Sequence, residues 1–425
     1  MMKVQNYIPR AVDDKIDLYL TLFGAVCIEG PKWCGKTWSS AYHSKSSFYL
    51  GSPQGAFQNR KMAEMSPDIV LEGKTPRLID EWQDVPLLWD AVRFEVDKRN
   101  KKGQFILTGS ATPNHKGILH SGAGRIGRLR MRPMSLYESK DSTGEVSLKE
   151  VCEGKPCFSP IKETDLLDII NLIIRGGWPA NIGSSAKSSS KTAAEYLHAV
   201  LEDDVFRIDG IKRDTSKMKL LLKSLARNES STASNRTLKN DINSADYENI
   251  DIETTATYLN IFDRLFLTDN QRPFSHNMRS SVRIKQMEKR HLADPSLACA
   301  LLGAGEKTLL SDLATLGFLF EALCERDLKV YADTFDATVY HYQDYKNREI
   351  DAVIEMQDGS WAAFEIKLGA NQIDEAAANL INIRDSLKAE DANYPKVMGV
   401  ICGLANAAYC RKDGVLVIPI TSLKW

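Results

Sequence analysis

The clearest chemistry in the sequence lies in Gly30-Pro31-Lys32-Trp33-Cys34-Gly35-Lys36-Thr37. The pattern is G-x-x-x-x-G-K-[ST], a P-loop, the turn that cradles the phosphates of a nucleotide. Gly30 and Gly35 let the backbone close around a triphosphate with its N–H groups aimed at the oxygens. Lys36 is expected beside the β- and γ-phosphates, and the Thr37 hydroxyl on Mg²⁺. Trp38 opens the helix-compatible stretch Trp38 to Tyr42, whose positive dipole end would add to the site. An ordinary glycine-containing turn could carry the same letters, so the flanking elements matter. Ala25-Val26-Cys27-Ile28 before the loop reads as a buried strand. Strand, glycine-rich turn and helix is the order that this chemistry needs.

Such a loop also needs acids at the end of a neighbouring strand. Arg77-Leu78-Ile79-Asp80-Glu81 supplies them. Asp80 would hold the Mg²⁺ shell, and Glu81 would orient or polarise the attacking water. Gln104-Phe105-Ile106-Leu107-Thr108-Gly109-Ser110 gives a third buried strand, from which Thr108 and Ser110 could sense the γ-phosphate. Val85 to Asn100, between these strands, has helical spacing at Leu88, Ala91, Val92 and Val96. Further on, Arg128, Arg130 and Arg132 alternate with apolar residues and would share one strand face. The nearby Arg125 is the candidate for an arginine that meets a γ-phosphate, in its own subunit or a neighbour's. A polar strand face explains the same alternation equally well.

A second set of chemical groups lies in the last third of the chain. Arg348 to Glu355 reads as a strand, Gln357-Asp358-Gly359 as a turn, and Ser360 to Leu368 as the returning strand. Asp351, a hairpin, then Glu365-Ile366-Lys367 resembles the core of the PD-(D/E)XK nucleases. The resemblance implies that Asp351 and Glu365 hold a second divalent metal, and that Lys367 orients water or stabilises charge on a scissile phosphate. Glu321, on the helical segment Gly317 to Leu323, is placed to complete the set. The geometry adds a condition. Glu365 and Lys367, two apart on a strand, share a face. Asp351 joins them only if it pairs opposite Glu365, which requires a three-residue loop with Gly359 left-handed. A two-residue Asp-Gly turn would pair Asp351 with Ile366 and turn it away. A strand carrying Glu-x-Lys without any such activity remains an alternative.

Tyr7-Ile8-Pro9-Arg10, the P-loop, Leu78-Ile79-Asp80-Glu81, Leu107-Thr108-Gly109-Ser110 and Gly124-Arg125 together resemble the prokaryotic AAA-type ATPases that carry a C-terminal domain of unknown function, often nuclease-like in fold. Gly176-Gly177-Trp178-Pro179, the segment His291 to Leu297, and Glu349-Ile350-Asp351 extend the likeness over nearly the whole chain. It implies ATP binding through Gly30, Gly35, Lys36 and Thr37, and magnesium at Asp80. It implies no particular substrate. One departure stands out: bulky Trp33 and Cys34 sit where small or polar residues are commoner.

These groups require an α/β chain of several domains, which 425 residues allow. The expected organisation is an AAA-type P-loop ATPase domain with a parallel sheet over 1–138, a helical and winged-helix-like region over 139–275, and an α/β PD-(D/E)XK nuclease-like domain over 276–425. Residues 183–191, rich in Ser and Lys, read as a flexible loop. Helical patterns cover Thr164 to Ile174, Lys191 to Phe206, Ser216 to Arg227, Thr237 to Ile242 and Ile252 to Leu265. Phe266 to Pro273 would be the β wing. A generic helical subdomain fits the same pattern, since the second helix lacks the basic face of a recognition helix. Met287 to Leu302 is expected to be mostly helical, and Val415 to Ile420 a strand.

Net charge of −1 argues against a globally basic nucleic-acid binder but does not exclude a local basic groove. No apolar run reaches the roughly 18 residues of a membrane span, and Met1 to Arg10 has no signal-peptide core. Eight scattered cysteines form no tight pair, so a zinc site and a disulfide framework are not expected, and the expected home is the cytoplasm. The reading is therefore an ATP- and Mg-dependent ATPase whose nucleotide state is coupled to the C-terminal domain. The alternatives are an ATP-gated nuclease acting on DNA or RNA, and a nucleotide-regulated binding module without turnover. A homo-oligomer and a protein partner are both compatible with the sequence.

Overall fold

Ala25, Val26, Cys27 and Ile28 are all 0% exposed, so both faces of this short run are covered. That is the environment of a central strand in a parallel sheet. In the computed structural model, which describes residues 6–53, 55–112, 120–160, 164–243, 249–277, 286–344, 346 and 348–425, it is strand β1, Ala25–Glu29. Four parallel partners join it: β2 Ser46–Tyr49, β3 Arg77–Asp80, β4 Phe105–Gly109 and β5 Ile126–Arg130. The order is β2-β3-β4-β1-β5, with Ala25 opposite Phe105 on one side and Ile126 on the other. Helix Leu87–Arg99 covers one face through Leu88, Trp89, Val92 and Val96. Ile16 of helix Asp13–Leu22 belongs to the core on the other face. All five strands run the same way, so the loops after β1, β3 and β4 emerge at one edge, where ligands of open α/β sheets bind.

The described residues divide into two compact units. The first is Met1–Pro133 with Glu202–Arg213 and Asn260–Leu267, and the second is Met134–Leu201, Asp214–Leu259 and Thr268–Trp425. The region expected as a middle domain, 139–275, is thus distributed between the two.

The second unit is built on an eight-stranded sheet. A two-stranded pair, β6 Val146–Ser147 with β15 Leu423–Lys424, accompanies it. The strands of the large sheet are β7 Ser159–Pro160, β8 Arg272–Pro273, β9 Thr338–Gln343, β10 Glu349–Glu355, β11 Trp361–Lys367, β12 Val397–Cys402, β13 Ala407–Cys410 and β14 Leu416–Pro419. Their order is β7-β13-β14-β12-β11-β10-β9-β8. Helix Ile373–Ala389 packs Ala377, Leu380 and Ile383 against Val353, Trp361, Ala363 and Val400. Helix Leu313–Thr334 carries Glu321.

Three expectations are corrected here. Of residues 183–191, only 183–185 are irregular; 186–191 are helical, because Ser185 accepts the Ser188 N–H and caps helix Ala186–Ala199. The wing does not form as a hairpin. Arg272–Pro273 instead pairs in parallel with Tyr340 and His341 of β9, and Gln271 bridges to Lys289, so this stretch serves the edge of the large sheet. The helix expected from Met287 to Leu302 spans only Pro295–Leu302, since Lys289 to Leu292 are drawn into bridges with Gln271, Ser231 and Thr268. The motif segments around Gly177 and Asp294 meet each other. Asp294 accepts the Gly177 N–H at 2.9 Å and Arg326 Nη1 at 2.8 Å, and Trp178 Nε1 donates to Ser296 at 2.9 Å. Their role is to bind helix Leu313–Thr334 to the segments on either side.

Candidate active site at the phosphate loop

The loop after β1 turns through residues whose backbone only small or permissive side chains adopt easily. A Cβ on Gly30 would come within 2.1 Å of the Met131 carbonyl oxygen, which explains glycine there. Gly35 lies at φ 103° and opens helix Lys36–Tyr42. Trp33 takes φ 71°, so an indole occupies a left-handed position, and it is 48% exposed. Lys36 is buried, and its ammonium donates to the Gly30 and Pro31 carbonyls at 2.8 and 2.7 Å. Cys34 is buried with Sγ near the Met131 carbonyl.

The acids stand where the parallel register puts them, Asp80 as the last residue of β3 and Glu81 just after it. Asp80 Oδ1 accepts from Thr37 Oγ1 at 2.9 Å and from Thr108 Oγ1 at 2.7 Å. Burial, reinforced by the neighbouring Glu81 charge, holds the Asp80 carboxyl above its ordinary range, against the pull of the two hydroxyls. The Glu81 backbone is left-handed, at φ 58° and ψ 46°, and its N–H donates to Thr108 Oγ1 at 2.9 Å. Its Oε2 accepts from Ser110 Oγ at 2.7 Å and from Gln83 Nε2. Thr108 and Ser110, expected as phosphate sensors, are thus the hydrogen-bonding partners of the two acids. Gln83 is a member that the sequence reading did not single out.

Two further contacts lay beyond its reach. Arg10, 6% exposed, donates to the Cys34 carbonyl at 2.7 Å and the Arg132 carbonyl at 2.9 Å, tying the P-loop to the chain after β5. Its place in Tyr7-Ile8-Pro9-Arg10 was visible, but its long-range target was not. Lys32 pairs with Asp204 at 2.5 Å, a partner 172 residues away within the same compact unit. Arg125 requires a correction. Its carbonyl accepts the Ala25 N–H at 3.0 Å, so it lies at the start of β1, about 16 Å by strand rise from the P-loop end. Its guanidinium pairs with Asp97 at 2.9 Å. It cannot reach a phosphate in its own chain. Arg128 pairs with Glu29 at 3.1 Å and lies over the Trp89 ring, and Arg130 lies over the Phe266 ring.

In the second unit the hairpin has the expected odd loop. Glu355 pairs with Trp361, Met356 N–H donates to the Ser360 carbonyl, and Gly359 is left-handed at φ 78°. Asp351 and Glu365 stand one step beyond the ladder pair Ala352–Phe364. Lys367 Nζ reaches both, at 3.0 and 2.6 Å. Asp351 Oδ2 also accepts the Ile366 N–H at 2.8 Å, and Asn379 donates to Glu365 Oε1 at 2.8 Å. Glu321 joins through a residue that the sequence reading missed. Lys289 Nζ lies 2.6 Å from Glu321 and 3.7 Å from Asp351. Burial would raise the Asp351 carboxyl, but Lys289 and Lys367 together hold it below its ordinary range. The four expected residues therefore converge, with Lys367 where the expected set has its lysine; what does not fit a metal is Lys289, a second ammonium outside that set that faces Glu321 and Asp351. Among the described residues no group of three or more His, Cys, Asp or Glu side chains is disposed to hold a metal ion.

An AAA domain profile matches residues 23–140. Two profiles for domains of unknown function, DUF8612 and DUF4143, match residues 166–308 and 316–423. No curated protein sequence matches the chain. Among solved structures, the Walker-type ATPase PABY2304 of Pyrococcus abyssi aligns at 12% identity over 70% of this chain and 96% of its own, with a TM-score of 0.44. The Aeropyrum pernix ORC1 protein in complex with DNA aligns at 12% identity over 73% and 96%, with a TM-score of 0.27. No described helix is long and apolar enough to cross a membrane. The family match over 23–140, together with the loop and the two acids, supports an AAA-type P-loop ATPase domain in the first part of this chain.

Proposed function

We propose that this protein binds ATP with Mg²⁺ at the P-loop, hydrolyses it to ADP and phosphate, and couples nucleotide state to its second unit. One observation carries the reading. Thr37, Asp80, Thr108 and Glu81 form a continuous hydrogen-bonded set at the carboxyl ends of β1, β3 and β4. A hydroxyl and a carboxylate are the oxygen ligands that Mg²⁺ prefers, so Thr37 and Asp80 would hold the ion. The ion would supply positive charge that offsets the negative charge of the phosphates.

The rest follows from the chain's own groups. Gly30 and Gly35 bring backbone N–H groups to the phosphates. Pro31, Lys32, Trp33, Cys34 and Trp38 complete the lining. Lys36 exchanges two loop carbonyls for phosphate oxygens. Thr108 fixes Asp80 relative to the Glu81 backbone. Ser110 and Gln83 both bind Glu81 Oε2, which leaves Oε1 to accept a proton from water and orient it for attack. Coupling would pass through Lys32 and Asp204. Asp204 lies on a segment of the first unit whose chain continues into the second unit at both ends.

The test is ATP hydrolysis by purified protein with Mg²⁺, alone and with single- or double-stranded DNA or RNA, beside Lys36→Ala. Turnover that disappears in the variant supports the reading, and a rise with nucleic acid identifies the partner class. Tight nucleotide binding without turnover would replace it with a binding module.

A further inference from the structure

The two acidic sites of this chain are finished in opposite ways. Asp80 receives its hydrogen bonds from hydroxyls, while the P-loop lysine donates to loop carbonyls. In the second unit the carboxylates of Glu321, Asp351 and Glu365 face the ammonium groups of Lys289 and Lys367. We propose that Lys289 is the resident cation of this cluster, seated between Glu321 and Asp351 where a divalent ion would otherwise bind, so that the resting chain takes no metal there.

Three features of the geometry support this. First, the position of Lys289 is built rather than incidental. Its backbone N–H and carbonyl are both paired with Gln271 at 2.9 Å. Gln271 in turn donates through Nε2 to the Asp351 carbonyl at 3.0 Å and the Tyr340 carbonyl at 2.9 Å. The same glutamine thus anchors the lysine and the strand that carries Asp351. Second, the Lys289 side chain is 6% exposed, against 26% for Lys367. Lys367 has a route to solvent; the Lys289 ammonium is enclosed by its carboxylate partners. Third, an ion between Glu321 and Asp351 would need Glu321 Oε1 and Asp351 Oδ1, the two oxygens that Lys289 Nζ already faces at 2.6 and 3.7 Å. Asp351 Oδ2 accepts from Ile366 and Lys367, and Glu365 Oε1 accepts from Asn379. A divalent ion entering between Glu321 and Asp351 would meet an ammonium at contact distance and be repelled by it. A buried carboxylate needs a positive partner, and the fold supplies one from its own sequence.

The proposal makes an unusual demand on a substitution: removing one lysine should create a metal site. The experiment is a Mn²⁺ titration of full-length, nucleotide-free protein, read by electron paramagnetic resonance of the free ion. Asp80→Asn is included in every sample to silence the P-loop. Lys289→Met keeps the length of the stem, and its folding is checked by circular dichroism. Lys289→Met should bind one Mn²⁺ more than the parent, and Asp351→Asn added to it should abolish that ion. In the parent, Asp351→Asn should change nothing. A parent that binds an ion lost in Asp351→Asn overturns the proposal, as does a folded Lys289→Met that gains none. If Lys289→Met does not fold, Lys289→Gln takes its place, and the parent comparison decides by itself. Because no nucleotide is present, this outcome is separate from success or failure of the ATPase reading.

Discussion

Ser110 gives its hydroxyl hydrogen to Glu81 Oε2 across 2.7 Å, from the residue just beyond β4 to the residue just beyond β3. With Gln83 on the same oxygen, one edge of the carboxylate is fixed and the other is left for water. A hydrogen bond to a charged group contributes about 1.5–3 kcal/mol. Ser110→Ala is therefore expected to lower kcat roughly tenfold or more while KM changes little. Steady-state kinetics checks the split, and a KM effect of the same size as the kcat effect would show that Ser110 serves binding.

Arg10 offers a separate handle on the loop. Its guanidinium holds two carbonyls, of Cys34 and Arg132, in a buried setting. Arg10→Ala leaves both acceptors without that donor, at about 2–4 kcal/mol of stability. Arg10→Lys cannot span both with a planar fork and should recover only part. Denaturant unfolding of the three proteins tests this, and equal stability of wild type and Arg10→Ala would contradict it.

The pair Lys32–Asp204 should behave differently. Lys32 is 40% exposed, so the pair contributes under about 1 kcal/mol to folding. Asp204→Asn is expected to leave stability nearly unchanged. It should release Lys32 toward the phosphates and tighten ATP binding by roughly fivefold, the equivalent of about 1 kcal/mol. Isothermal titration with a slowly hydrolysed ATP analogue reads the affinity, and weaker binding in the variant would refute the expectation.

Much of the first site was legible in sequence because it is local. Strand, glycine turn and helix fix Lys36 and Thr37, and a strand ending in Asp80-Glu81 needs only the parallel register to arrive beside them. The hairpin of β10 and β11 was legible for the same reason, since one loop length decides which face Asp351 takes. What was not legible depends on pairs far apart in the chain. Nothing around Lys289 marks it as a partner of Glu321, and nothing around Asp204 points to Lys32. Arg125, as a phosphate arginine of its own subunit, shows the complementary failure. Its sequence neighbourhood suits a phosphate arginine, but the parallel pairing of β5 with β1 puts it at the wrong end of the sheet. Composition alone suggests a flexible loop over 183–191, whereas the Ser185 cap decides the helix from Ala186.

The acidic cluster of the second unit predicts a pH dependence. Burial is the main cause that pushes Glu365 up to about 8 and Glu321 up to about 7. In the unfolded chain a glutamate titrates near pH 4.3. Between these values the folded chain holds protons that the unfolded chain has lost, so stability falls as pH rises. The contribution is fully present below about pH 4.3 and is lost as pH rises through 7 to 8. Glu365→Gln removes one titrating group and should flatten the decline between pH 6 and pH 8.5, a window set by the two raised values. Urea unfolding followed across that range is the check, and an unchanged slope would mean that Glu365 is ionised in the folded chain.

The most direct measurement of the central claim is single-turnover ATP hydrolysis by Glu81→Gln beside wild type, with nucleotide affinity measured on the same samples. The account predicts that both bind Mg²⁺ and ATP with similar affinity, and that the variant hydrolyses about 100-fold or more slowly, the scale of a lost general base. Hydrolysis by Glu81→Gln at the wild-type rate would contradict it.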